Sequence, residues 1–122
     1  MSDMKLDGPV QIKSLEYAID IVILYKDLDL KREWIMSKQL LRSGTAIGAL
    51  VVESEHAESK KDFVHKLSIA LKEANETSYW LMLLYKTDYL AKRNFSKHNN
   101  KVDELKRLLI SSIKTTKERY LK

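Results

Sequence analysis

The sequence predicts an all-α fold, an antiparallel up-and-down four-helix bundle that occupies one domain over residues 1–122. Three observations carry that expectation. Three Gly and one Pro in 122 residues leave few places for tight turns, so the chain must be built of few, long elements. Apolar residues recur at steps of three and four along most of its length, which is the spacing of one helix face. The segments with that spacing are four, joined by short polar links, and antiparallel neighbours are the simplest way to pack them.

Asp7-Gly8-Pro9 is a breaker cluster, with Pro9 suited to the first position of a helix. Ile12, Leu15, Ile19, Val22 and Lys26 then step by three and four, with Ala18 and Tyr25 alongside, and give helix one over about 9–27. Asp27-Leu28-Asp29-Leu30 reads as a break, and helix two as running from about Lys31 to His56. Its middle, Leu40 to Val52, is apolar or small almost throughout, more than one small bundle is expected to cover. Ser59-Lys60-Lys61-Asp62 is a capping box for helix three. Phe63, Leu67, Ala70, Ala74, Thr77, Leu81, Leu84 and Asp88 form its seam, with small residues at 70, 74 and 77 that let a neighbour approach. Asn94 to Asn100 reads as a polar turn, and Val102, Leu105, Leu109, Ser112 or Ile113, and Thr116 mark helix four, ending near Tyr120.

Composition excludes several function classes. Without Cys there is no disulfide framework, thiolate nucleophile or Cys-ligated metal. Met1 to Val10 lacks an apolar leader, and no apolar run approaches the roughly 18 residues of a membrane span. The expectation is a soluble, cytoplasmic protein that does not enter a membrane. Three His, no Cys and no Gly-rich phosphate loop leave no triad, P-loop or dinucleotide fingerprint, so the chain is read as not an enzyme, with no cofactor. Gly44 and Gly48, spaced by four within helix two, point to a close helix–helix approach.

Glu53-x-x-His56 has the spacing used by di-iron bundles; Asp62-x-x-His65 is a near copy, and Glu16 and Asp20 supply further carboxylates. Both pairs flank the turn at 57–58, at a bundle end, where His56 suits a helix C-terminus and Asp62 an N-terminus. They are read as helix-end charges, and no metal is expected. Arg42 lies within the apolar stretch of helix two, and a buried guanidinium must be paired. In a hairpin turning near 57–58 it lies level with about 73, so Glu73 and Glu76 are the expected partners in a structural ion pair.

Gln39-Leu40-Leu41-Arg42-Ser43-Gly44-Thr45-Ala46-Ile47 with Glu53-Ser54 on helix two, and Ser59, Asp62-Phe63, Leu67, Ile69-Ala70, Glu76 and Tyr89-Leu90 beyond it, resemble the four-helix-bundle family encoded within ribosomal RNA intervening sequences. The likeness runs over about residues 12–115; the chain departs from the family at Ala46 and Leu50, where Ser and Asn are common. The resemblance implies an antiparallel bundle assembled as a homo-oligomer, often a pentamer, with a basic surface. A related branch holds the accessory proteins of diversity-generating retroelements, which bind a reverse transcriptase and nucleic acid.

The net charge of +5 is unevenly placed. Residues 94–122 hold eight Lys or Arg against three acids, whereas the 14 basic and 14 acidic groups of residues 1–93 cancel. Lys97, Lys101, Lys106, Arg107, Lys114, Lys117 and Arg119 are therefore the candidate nucleic-acid contacts, repeated as basic stripes in an oligomer. Helix four offers only Tyr120, preceded by Phe95, for stacking, so contacts to the phosphates of RNA or DNA are expected to outweigh contacts to bases. The functional expectation is a non-enzymatic homo-oligomer that binds nucleic acid, or a ribonucleoprotein or reverse-transcriptase partner, through this surface. The alternative is a protein-interaction scaffold with no such affinity.

Overall fold

Pro9 does open the first helix, at the N-terminal edge of a computed structural model that describes residues 7–121. The reading of Met1 to Val10 as lacking a leader falls mostly outside those residues. Four helices follow in order: α1 (Pro9–Leu30), α2 (Met36–Ser54), α3 (Lys60–Lys86) and α4 (Lys92–Tyr120), with no strand among the described residues. Each packs on the next, and α1 meets α4 to close the bundle through the sparsest of the four contacts. No helix among the described residues is long and apolar enough to cross a membrane.

The sequence has two apolar stripes on α1, and the bundle buries the one the spacing analysis passed over. Ser14, Tyr17, Ile21, Leu24 and Leu28 face the core, while Ile12, Leu15, Ile19 and Val22 face outward with Ile23. The Asp27–Leu30 segment is also not a break. Leu28 is fully buried and continues the core face, so the helix runs on to Leu30. It stops where Arg32 turns into the left-handed region at φ 61°, with Glu33 N–H donating to the Leu28 carbonyl (3.0 Å) and Arg32 N–H to that of Asp29 (2.9 Å).

Glu33, 6% exposed, is why α2 starts at Met36 and not near Lys31. Its carboxylate accepts from the backbone N–H groups of Ser37 (2.7 Å), Met36 (3.0 Å) and Ile35 (3.3 Å), the free donors of a helix start. Burial pushes this carboxyl up, but the N–H donors outweigh burial and hold it below the usual carboxylate range. Along α2, Leu40, Ile47 and Val51 fill the core beside Ser43 and Gly44. A Cβ on Gly44 would sit 2.9 Å from both Cγ atoms of fully buried Ile21, and one on Gly48 would sit 3.2 Å from the Ser14 carbonyl oxygen. The expected close helix approach is thus the seating of α1 on α2. The expected surplus of apolar surface on α2 is not seen, because most residues around its outer side are small. None of the large exposed apolar residues is on α2, whereas six of them are on α1.

The Ser59 hydroxyl caps α3 by accepting from Asp62 N–H (3.0 Å), and the Asp62 carboxylate accepts from Glu58 N–H (3.2 Å). The seam of α3 is buried from Leu67 to Leu84; Phe63 is half-buried and Asp88 lies beyond the helix at φ 67°. Small residues let α2 and α3 close up until the Ser43 and Thr77 hydroxyls lie 3.0 Å apart. Arg42 crosses the same interface, with Nη1 3.1 Å from both Glu73 carboxylate oxygens and Nη2 on Glu76, which also accepts from Trp80 Nε1 (2.9 Å). The guanidinium is not buried, however. Its side chain is 47% exposed, because it leaves the apolar stretch sideways along the α2–α3 edge.

Asn94 to Asn100 is helical, contrary to its polar composition: α4 begins at Lys92. Phe95 stacks on Tyr85 with ring centroids 4.8 Å apart, and His98 is buried, so these two residues carry the core stripe of Val102, Leu105 and Leu109 back through a polar stretch. Tyr17 of α1 donates its hydroxyl to the His98 carbonyl (3.2 Å).

Two stability predictions follow from these caps and pairs. Because the Glu33 carboxyl is lowered in the folded chain, its contribution is present above the unfolded carboxylate pKa and is lost as pH falls through the folded value. Urea denaturation should find Glu33→Gln about 1 kcal/mol less stable at neutral pH, with the gap to wild type closing in acid. Arg42→Met should cost only about 0.2–1 kcal/mol, the range of exposed pairs, and not the roughly 3–5 kcal/mol of a broken buried one.

Candidate nucleic-acid interface

The rotation of α4 about its axis decides what its charges can reach. Burial of His98, Val102, Leu105, Leu109 and Thr116 fixes that rotation. At 3.6 residues per turn the seven candidate residues then point in three directions and do not form one stripe. Lys97, Lys101 and Arg119 lie on the flank towards α1. Arg107 and Lys114 face away from the bundle. Lys106 and Lys117 lie on the flank towards α3.

The α1 flank is partly neutralised, with Lys97 and Arg119 exposed and in no ion pair among the described residues. Lys101 pairs with Asp20 (2.5 Å), and Glu104 pairs with Lys13 of α1 (3.3 Å). Burial lowers the pKa of His98, whose Nδ1 is 2.8 Å from the Asn94 carbonyl oxygen.

On the α3 flank, Lys106 is the one candidate that is not well solvated. It donates to Ser78 of α3 (2.7 Å) and lies 3.5 Å from Asp103, which ties the two helices together. Arg107, Lys114 and Lys117 are exposed, and none of them has a carboxylate partner among the described residues. The outward side of α3 continues this basic surface. With its core positions at 67, 70, 74 and 77, Lys61 and Lys72 point out on the side shared with α4, and both are exposed. At one end Lys60 of α3 places its ammonium 4.5 Å from the ring centre of Tyr120, joining the start of α3 to the end of α4.

The sequence reading counted charge along the chain and so missed the α3 lysines, which are cancelled in sequence by acids on other faces of the bundle. The helical period of α3 held the signal, since it turns Lys61 and Lys72 outward and Glu73 towards α2; Glu76, one turn from Lys72, is taken up by Arg42 and Trp80. Because α4 begins at Lys92, Lys92 and Arg93 also join it, giving nine basic and three acidic residues on that helix.

Three of the four carboxylates weighed as metal ligands have other engagements. Glu53 pairs with Lys66 (3.4 Å), Asp20 with Lys101, and Asp62 serves the α3 cap. No group of three or more His, Asp or Glu is placed to hold a metal among the described residues. What the α3–α4 side offers chemically is a set of solvated cationic donors that can contact phosphates without reference to sequence.

A family model described as 23S rRNA-intervening sequence protein matches residues 7–111. No curated protein matches the chain. The crystal structure of a protein of unknown function from the S23 ribosomal protein family of Bacteroides thetaiotaomicron is similar to it, with a TM-score of 0.85 and 55% sequence identity over 86% of this chain and 98% of that one. By the extent of both matches, the chain belongs to the 23S rRNA-intervening sequence protein family.

Proposed function

We propose that the protein is a non-enzymatic, self-associating bundle that binds nucleic acid, free or within a ribonucleoprotein or reverse-transcriptase complex, through the basic α3–α4 surface. The observation that carries this reading is the separation of charge. Arg107, Lys114 and Lys117 are solvated without carboxylate partners among the described residues, beside Lys61 and Lys72, whereas on the α1 flank of the same helix Lys101 is taken up by Asp20 and Glu104 by Lys13. Such a surface attracts a polyanion by releasing its counterions. The family's name ties it to 23S rRNA intervening sequences, which makes RNA the first probe.

Self-association rests on a second observation. Ile12, Leu15, Ile19, Val22 and Ile23 are all exposed on one side of α1, with Ile19 at 52% and Ile23 at 55%. Beside them Leu15, Ala18, Gly48, Ala49 and Val52 line an apolar groove of about 250 Å³ between α1 and α2. A contiguous apolar face of this kind marks an interaction site, and another copy of the chain is the proposed occupant. The resemblance noted from the sequence implies five subunits.

Native mass spectrometry should find an oligomer, and Ile19→Glu with Ile23→Glu should release helical monomers; a wild type that is monomeric at micromolar concentration rules self-association out. The charge reading is tested by Arg107→Glu, Lys114→Glu and Lys117→Glu together, leaving Lys106 in place because it braces α3. Wild type should bind RNA and DNA with little sequence preference, and log affinity should fall linearly with log salt, by about 0.7 per phosphate contact on single strands and 0.9 on duplex. The triple variant should lose most of that affinity and slope with its fold and oligomeric state unchanged. No wild-type affinity at low salt, or equal binding by the variant, leaves a protein-interaction scaffold.

A further inference from the structure

The basic α3–α4 surface has an apolar centre. Tyr79 is 59% exposed, Met82 lies one turn further along α3, and Ile110 is exposed on α4. The Lys106–Ser78 hydrogen bond sets the register between the helices, so that Tyr79, next to Ser78, is level with Lys106 and Arg107. Ile110 is one turn on from Lys106. Since the helices are antiparallel, it lies towards Lys72. Lys72 of α3 and Arg107 of α4 therefore border the patch, and Glu76, one turn before Tyr79, is taken up by Arg42 and Trp80. The Tyr79 ring is held from one side, where Trp80 meets it edge-on with centroids 5.2 Å apart, and Trp80 is itself anchored to Glu76. More than half of the residue is exposed to solvent.

We propose that this patch is a stacking platform for a single strand of nucleic acid, with one unpaired base on the Tyr79 ring and the flanking phosphates on Lys72 and Arg107. Charge complementarity selects this occupant: an apolar patch bordered by Lys and Arg suits a chain of flat apolar faces joined by phosphates better than it suits another protein's apolar face. A duplex keeps its bases stacked inside and can use only the basic border. The face therefore favours single strands, or the unpaired loops of a folded RNA, over duplex. This deepens the nucleic-acid reading above and rests on it. It also changes the expectation drawn from α4 alone, that phosphate contacts dominate, because the aromatic ring comes from α3.

Fluorescence anisotropy with a labelled oligothymidine and a duplex of equal length separates the two contributions. Tyr79→Ala should weaken single-strand binding on the order of tenfold, the usual effect of removing one stacked base. It should leave duplex binding and the salt slope unchanged, since no phosphate contact is lost. Tyr79→Phe keeps the ring and should bind as wild type does. The ring is largely solvated, so circular dichroism and native mass should be the same for all three proteins. Undiminished single-strand binding by Tyr79→Ala, or equal loss on single strand and duplex, overturns the platform while leaving the basic surface standing. A change in native mass with Tyr79→Ala overturns it in favour of a contact between copies. Failure of wild type to bind either oligonucleotide overturns both readings together.

Discussion

Close approach to α2 governs the bundle. With no side chain at Gly44, Ile21 of α1 can seat directly against the backbone of α2, and with none at Gly48 the two helices come close enough for the Ser14 carbonyl to be a near neighbour. On the other side, Ser43 and Thr77 let α3 approach to hydroxyl-to-hydroxyl contact. Small residues give up apolar area per residue, but they bring backbones together and gain dispersion contacts along the whole interface. Seating Ile21 at Gly44 also fixes which side of α1 is inside. Its core face becomes Tyr17, Ile21, Leu24 and Leu28, and the stripe that includes Ile12 and Ile19 must turn to solvent or to a neighbour.

That constraint explains where the sequence was legible. The α3 seam, the Ser59 cap and the late part of α4 were readable because apolar spacing and burial coincide there, and only one face of each helix is apolar. The spacing of α1 could not choose between two apolar stripes, since periodicity gives a direction only when one side is polar; the choice is made by Gly44 on another helix. Arg42 was placed beside Glu73 and Glu76 by counting residues from the hairpin turn, which fixes height along the bundle. Its exposure depends on which way the side chain leaves the helix, and counting says nothing of that. The start of α4 was missed because Phe95 and His98 carry the core stripe among polar residues, and composition outweighed spacing in the reading.

The loop before α2 shows a related effect. Glu33 has no special signature in sequence, four residues ahead of Ser37 and amid charged neighbours. It becomes a cap only because Arg32 takes a left-handed backbone conformation and turns the chain inward. The candidate interface behaves in the same way. Summing charge along the chain located the excess on α4, but the surface that a ligand would meet is assembled from two helices whose outward positions are far apart in sequence. Lys61, Lys72 and Tyr79 enter it through the rotation of α3, which its seam had already specified.

The sparse contact between α1 and α4 has a further consequence for how the protein comes apart. Every other neighbouring pair is consecutive in sequence and joined by a short loop, while this pair is held by Tyr17 on the His98 carbonyl and by the exposed pairs Lys101–Asp20 and Lys13–Glu104. Local opening free energies follow the density of buried contacts. The α2–α3 hairpin should therefore be the slowest-exchanging unit, and amide protons should first meet solvent at the α1–α4 seam. The fold is less a closed cylinder than a strip of three helix–helix interfaces rolled until its edges touch, and it should open first along those edges.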